Sequence, residues 1–287
     1  MNVVKNFGLA AIMAAGTMLA APAHAIVITS ENDANALANA LLAGGGAGID
    51  LSSVTVSVSG HNNGVAYSTG VYTNASNTYG IGNGIVLSSG DVSDYGDGAN
   101  TASGNSTVYG VAATGAEEAI LDPITGGSFN HNDVTSITLT FNMLAGFDSV
   151  YFNVVFGSDE YPEWAGSSFI DAFGLFVNGT NVAFANGAPI NINNPGMGAP
   201  AGTELDGVLG GSTGEFGQWV HTFGTFVGDG AQNVTVTFII ADSGDAQLDS
   251  VAYISQLGGS EPPVEVPVPA SLALFGLGLM ALRARRK

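Results

Sequence analysis

The chain of 287 residues carries 24 Asp and Glu against five Lys and Arg, a formal net charge of −19, and has no cysteine. Its five cations are Lys5, Arg283, Arg285, Arg286 and Lys287, so everything between the two ends lacks fixed positive charge. Such a chain releases no counterions from phosphates, which excludes nucleic acid and disfavours anionic membranes and phosphorylated substrates. Without thiols it also has no disulfides, no cysteine nucleophile and no thiolate metal site. Neutral glycans and divalent cations remain as partners.

In chain order, Lys5, an apolar run from Phe7 to Ala21 and the small-residue pattern Ala23-His24-Ala25 read as an export signal. Signal peptidase would cut after Ala25, with Ala23 and Ala25 as its recognition residues, leaving Ile26 first. A helix follows, with Ser30 as its cap, Ala34, Leu37, Ala38, Leu41 and Leu42 on one face, and Gly44-Gly45-Gly46 as its stop.

Beyond it the period changes to two. Val54, Val56 and Val58 alternate with small polar residues, as do Ile137, Leu139 and Phe141, then Val150, Phe152, Val154 and Phe156, then Val234, Val236, Phe238 and Ile240. Further strands are expected near 65–72, 85–88, 172–177, 181–185, 219–226 and 248–254, with Gly, Asn, Ser and Asp turns between them. Many short alternating strands predict an all-β fold, a β-sandwich of jelly-roll type with one N-terminal helix, over residues 26–257. Residues 258–266 read as a Gly-then-Pro linker.

The sorting segment comes last, over 267–287. Its apolar stretch, Ala270 to Leu282, runs directly into Arg283-Ala284-Arg285-Arg286-Lys287. An apolar stretch followed by clustered cations stops in a membrane with the cations on the cytoplasmic side. At ~1.5 Å per residue a 13-residue helix covers only ~20 Å, short of the ~30 Å hydrocarbon core, so transient anchoring is expected.

The chemistry lies in acidic clusters. Asp91, Asp94, Asp97 and Asn100 sit in a Gly-rich loop and read as solvated turn residues. Asp159, Glu160, Glu163 and Asp171 bracket Tyr161, Pro162 and Trp164, and Asp242, Asp245 and Asp249 follow the most apolar strand. With no Lys or Arg to pair with, these carboxylates point to water, accept backbone N–H bonds, or bind a metal. Hard oxygen donors favour Ca²⁺, with Asp159, Glu160, Asp171, Asp242, Asp245 and Asp249 as its ligands, although no EF-hand spacing is present. His61, His131 and His221 are isolated from one another and read as structural or surface residues. A third possibility is a glycoside hydrolase in which Glu160 pairs with Glu163 or Asp171 as acid and nucleophile.

Two resemblances join these readings. Pro267-Val268-Pro269 ahead of the apolar run and the terminal arginines closely resembles the PEP-CTERM sorting signal of Gram-negative bacteria, with Val268 where that family usually has glutamate. The resemblance implies an exosortase that recognises Pro267 and Pro269, and a cationic stop at Arg283, Arg285 and Arg286. The segments 33–42, 84–90, 155–161, 167–174, 203–207 and 241–254 together are similar, in order, to the choice-of-anchor L domain. Asp159-Glu160-Tyr161 and Ile170-Asp171 stand where that family tends to have Glu-Glu-Tyr and Asn-Asp. The combination implies a non-catalytic, exported surface or matrix protein associated with exopolysaccharide. The alternative is a Ca²⁺-dependent carbohydrate-binding module that stacks sugars on Tyr161, Trp164 or Trp219.

Overall fold

The computed structural model describes residues 26–260 apart from 97, 99, 103, 128, 199–202 and 211–218. The export signal and the sorting segment, with Ala23, Ala25, Pro267, Pro269 and the terminal arginines, lie outside the described residues. Fifteen strands are described: β1 Ile26–Ser30, β2 Ile49–Ser59, β3 Thr69–Asn74, β4 Gly84–Ser88, β5 His131–Met143, β6 Ser149–Ser158, β7 Ala172–Val177, β8 Thr180–Asn181, β9 Phe184–Ala185, β10 Ala188–Asn191, β11 Met197–Gly198, β12 Gly207–Leu209, β13 His221–Phe226, β14 Val234–Ser243 and β15 Ser250–Ser260. Two helices accompany them, α1 Ala34–Ala43 and α2 Gly115–Thr125.

The strands form two antiparallel sheets. The first runs β1-β3-β4-β15-β6, with β12-β11 paired to the end of β6 and β13 to its start. The second runs β2-β5-β14-β7-β10-β9, with β8 on β7. This is the all-β sandwich that the alternation predicts.

Period-two alternation decides which residues meet between the sheets. Val150, Phe152, Val154 and Phe156 of β6 and Ala252 and Ile254 of β15 face Ile137, Leu139 and Phe141 of β5, Phe173 and Leu175 of β7, and Val236, Phe238 and Ile240 of β14. Phe152 and Phe238 meet edge to face with centroids 5.5 Å apart. Leu37, Ala38 and Leu41 of α1 enter the same core. Both outer faces are also covered in part. Tyr72, Tyr95, Val155, Val251 and Tyr253 pack on the outside of the first sheet. Leu121 and Ile124 of α2 cover Val134, Ala172, Ile239 and Ala241 on the outside of the second. That double burial is why Ile85 to Leu87 of β4, Phe238 to Ala241 of β14 and Val251 to Ile254 of β15 are continuously apolar rather than alternating.

The structure corrects several expectations. Among the described residues there are two α-helices where one is expected. Helix α2 opens on a reciprocal capping box, Thr114 with Glu117, and ends at Gly126 with φ 79°, but it holds Pro123, which reads as a breaker in sequence. Asp33, not Ser30, caps α1, its side chain accepting the Ala36 N–H at 2.8 Å, because Ser30 is spent in the ladder between β1 and β3. The Gly258-Gly259 pair expected to open the linker belongs to β15, which pairs with β6 as far as Ser260. The strand expected at 65–72 starts only at Thr69, and the one expected at 181–185 is broken between β8 and β9. Thr114→Ala removes one half of the α2 capping box, so urea unfolding should show a loss of ~1 kcal/mol.

Candidate functional site

One end of the sandwich gathers acidic residues from several chain segments, and strand alternation sorts those at the strand ends into two sets. On β14 the core-facing series Val234, Val236, Phe238, Ile240 continues to Asp242. On β7 the series Val177, Leu175, Phe173 runs back to Asp171, and on β6 the series Val154, Phe156 runs on through Ser158 to Glu160. These three carboxylates thus occupy positions that the strands assign to core residues, and Asp171 and Asp242 are 0% exposed and Glu160 1%. Asp159 and Asp249 have the opposite parity. They follow Val155 and precede Val251, which face outward into the tyrosine-rich layer.

The hydrogen bonds follow the same division. On the outer side, Asp159 accepts the N–H of Asn105 at 2.6 Å and of Asp206 at 3.1 Å, and Asp249 accepts that of Thr107 at 2.9 Å. Asp133, also fully buried, accepts three N–H groups, from Tyr109 at 2.9 Å, Gly110 at 3.3 Å and Val111 at 2.8 Å. Glu204 accepts those of Thr101 at 2.6 Å and Ala102 at 2.8 Å. The described residues of 101–111 lie in no helix or strand, and these four carboxylates accept seven of their backbone N–H groups. Gly90 makes room for the arrangement, since a Cβ there would overlap the Asp249 carboxylate.

The inner set is far less satisfied. Asp171 accepts the Ser243 N–H at 3.1 Å and the Ser250 hydroxyl at 2.9 Å. Both carboxylate oxygens of Asp242 lack a partner, as do Glu160 Oε2 and Ser243 Oγ. The Ser89 hydroxyl stands near enough to ease the charge of Asp242, yet falls outside hydrogen-bonding geometry. Burial, then the charge of Asp242, then that of Glu160 hold Asp171 well above the usual carboxylate range. Burial and Asp249 do the same to Asp242. Burial and the charge of Asp245 carry Glu160 up to about 8. In the outer set burial raises Asp159 to about 7 and Asp249 to about 8 against their N–H bonds.

The six residues expected to hold Ca²⁺ therefore divide. Glu160, Asp171 and Asp242 lie together inside, Asp159 and Asp249 serve as backbone anchors, and Asp245 is a half-buried turn residue that accepts the Gln247 N–H at 3.2 Å. Sequence reading missed Asp133 and Glu204. Asp133 sits at an irregularity in the pairing of β5 with β14, at φ 50°, where alternation gives no guide.

A second group lies under α2. One ligand atom each from Glu118, Asp122 and His131 lies within 4.8 Å of the others, the one such trio found among the described residues. Glu118 there accepts the His131 backbone N–H at 3.0 Å and lies 2.6 Å from its Nδ1, which ties α2 to the start of β5. His61 stacks on Tyr109 with its Nε2 3.0 Å from the Val134 carbonyl, and His221 lies beside Phe223.

The aromatic residues do not make one platform. Trp164 is 41% exposed on the turn after β6, backed edge-on by Phe169 at 5.2 Å. Tyr161 is packed against Gly207, and Trp219 against Gly198 and Gly210. Of the two pairs considered for glycoside hydrolysis, Glu160 and Asp171 are interior while Glu163 is exposed.

The two-sheet sandwich and the C-terminal segment each match a known family model. The family model described as Choice-of-anchor L domain matches residues 26–198, and the PEP-CTERM protein-sorting motif matches residues 265–287. The chain belongs to the choice-of-anchor L family and carries the signal of an exosortase-sorted surface protein. No curated protein matches it. Among solved structures, a β-glucosidase from Kluyveromyces marxianus is similar at 13% identity with a TM-score of 0.20, over 44% of this chain and 11% of the enzyme. A likeness that slight carries no argument about fold or activity.

Proposed function

We propose that the chain is a non-catalytic component of the cell surface or extracellular matrix of a Gram-negative bacterium, associated with exopolysaccharide. Signal peptidase removes residues 1–25, the apolar stretch 270–282 anchors the chain transiently in the inner membrane, and exosortase acts at the Pro267–Pro269 element. The observation that carries the non-catalytic reading is the place of Glu160 and Asp171. A glycosidase acid and nucleophile must flank a bond that a polysaccharide can reach, and these two lie in the sandwich interior instead. The abundance of carboxylates without cations suits a hydrated matrix, where like charge keeps molecules apart.

Cell fractionation tests the sorting. The intact chain should reach the surface or medium, whereas a variant ending at residue 264 should remain in the periplasm. Surface display of the truncated chain would overturn the role of the tail. For catalysis, prolonged incubation with the organism's own exopolysaccharide should release no reducing ends. Turnover that disappears in Glu160→Gln would establish a hydrolase.

One observation favours a second reading. Trp164 presents an exposed ring on a turn adjoining the carboxylate end, the arrangement of a sugar-stacking residue. EDTA-sensitive binding to one sugar class on a glycan array, lost in Trp164→Ala, would make the domain a carbohydrate-binding module.

A further inference from the structure

We infer that Asp242, Asp171 and Glu160 form an internal Ca²⁺ site that clamps the two sheets together at this end of the sandwich. The argument begins with what burial demands. An ionised carboxylate inside a protein needs a cation or several hydrogen bonds, since removing it from water otherwise costs several kcal/mol. Asp242 is 0% exposed, and neither of its oxygens has a hydrogen-bond partner. The ordinary remedy, an Arg or Lys, does not exist between Lys5 and Arg283.

The neighbours of Asp242 do not supply the missing donors. Asp171 and Glu160 are also acceptors, their charges bear on one another, and Glu160 likewise has an unpartnered oxygen. The Ser250 hydroxyl is donated to Asp171, and the Ser89 hydroxyl, whose oxygen accepts the Ser250 N–H at 2.9 Å, lies outside hydrogen-bonding geometry to Asp242. Acceptors without donors call for a positive ion. Three carboxylates with unpartnered oxygens among them make an all-oxygen donor set, which suits Ca²⁺. Transition metals would instead choose the imidazole of His131 under α2.

The placement explains what such an ion would do. Asp242 and Asp171 stand on β14 and at the head of β7, in the second sheet, and Glu160 follows β6 in the first. An ion among them bridges the sheets where the hydrophobic core ends. The ligand atoms of the three carboxylates stand farther apart than those of the α2 trio, which lie within 4.8 Å of one another. Binding must therefore draw their side chains inward, which points to the weak affinity of extracellular Ca²⁺ modules.

The test separates the inner set from the outer one. The full chain, purified in mild detergent and stripped with EDTA, is unfolded by heat at pH 7.5 with Ca²⁺ or Mg²⁺ up to 10 mM. Calcium should raise the midpoint by about 5 °C, with magnesium far less effective, because ligand bound only by the native state stabilises it by mass action. Asp242→Asn should abolish the calcium response, since it removes a charged ligand that only the bound ion satisfies. Asp249→Asn should lower the midpoint and keep the response. Should Asp242→Asn not fold, Glu160→Gln replaces it, with loss of the calcium response again expected. No calcium-dependent rise in the parent chain, or an undiminished rise in Asp242→Asn or its replacement, overturns the site.

Discussion

In cation-free buffer the unfolding midpoint of this protein should fall as the pH rises from 5 to 8.5, although acidic proteins with well-paired carboxylates lose stability in the other direction. Burial holds Asp159 near 7, Glu160 and Asp249 near 8, and Asp171 and Asp242 well above their ordinary range. A carboxyl group with a raised folded-state value binds its proton more tightly in the native state than in the unfolded chain. Its contribution is then fully present below about pH 4 and is lost as the pH climbs through the folded-state value. A single group carried from near 4 to about 7 accounts for ~4 kcal/mol across that window. Even partial expression across several groups would exceed the margin of many domains. Thermal unfolding at pH 5, 6.5, 8 and 8.5 reads the effect directly. Calcium should flatten the profile from its alkaline side, because the ion replaces the protons. A profile that rises toward pH 8 without any divalent ion would show that the buried carboxylates are not held by protons.

Asp133→Ala should be the most damaging single substitution in the outer set. The Asp133 side chain accepts three successive backbone N–H groups, which leaves Tyr109, Gly110 and Val111 without that partner when it is removed. Exposure to water returns part of the loss, so about 3 kcal/mol is expected from the hydrogen bonds. A further ~1 kcal/mol comes from placing alanine at φ 50°, a conformation that Asp and Asn tolerate. Asp133→Asn keeps one acceptor oxygen and the backbone preference and should lose about half as much. Urea unfolding gives both values. Limited proteolysis should show new cleavage within residues 101–111 in the Ala variant, and an unchanged digestion pattern would mean that this segment is held by something other than Asp133.

The strands that form the centre of the sandwich were legible because their alternation is strong. Val150 to Phe156 and Val234 to Ile240 fall on β6 and β14 as the period-two reading places them. Helix α2 was not read from the sequence, where a proline at 123 interrupts a short segment whose Thr114-x-x-Glu117 start is its one local signal. The inner carboxylates are the instructive case. Asp242 continues the Val236, Phe238, Ile240 series in the sequence itself, but Asp-Ser-Gly-Asp also reads as a turn, and turn chemistry masked the parity. Asp133 offered no such trace, because the irregular pairing around it breaks the alternation.

By itself the sequence determined where this protein goes and what it lacks. Its apolar, cationic C-terminal end carries the sorting instruction locally, and the absence of Lys and Arg between Lys5 and Arg283 requires no fold to be read. Only the tertiary structure decided what each carboxylate does. Asp249 meets the Thr107 N–H from 142 residues away, and Asp171 meets Ser243 and Ser250 from 72 and 79 residues away. Such distances are closed by sheet pairing, and the same pairing turns one acid outward to a waiting N–H and its neighbour inward, where no protein donor completes its hydrogen bonds.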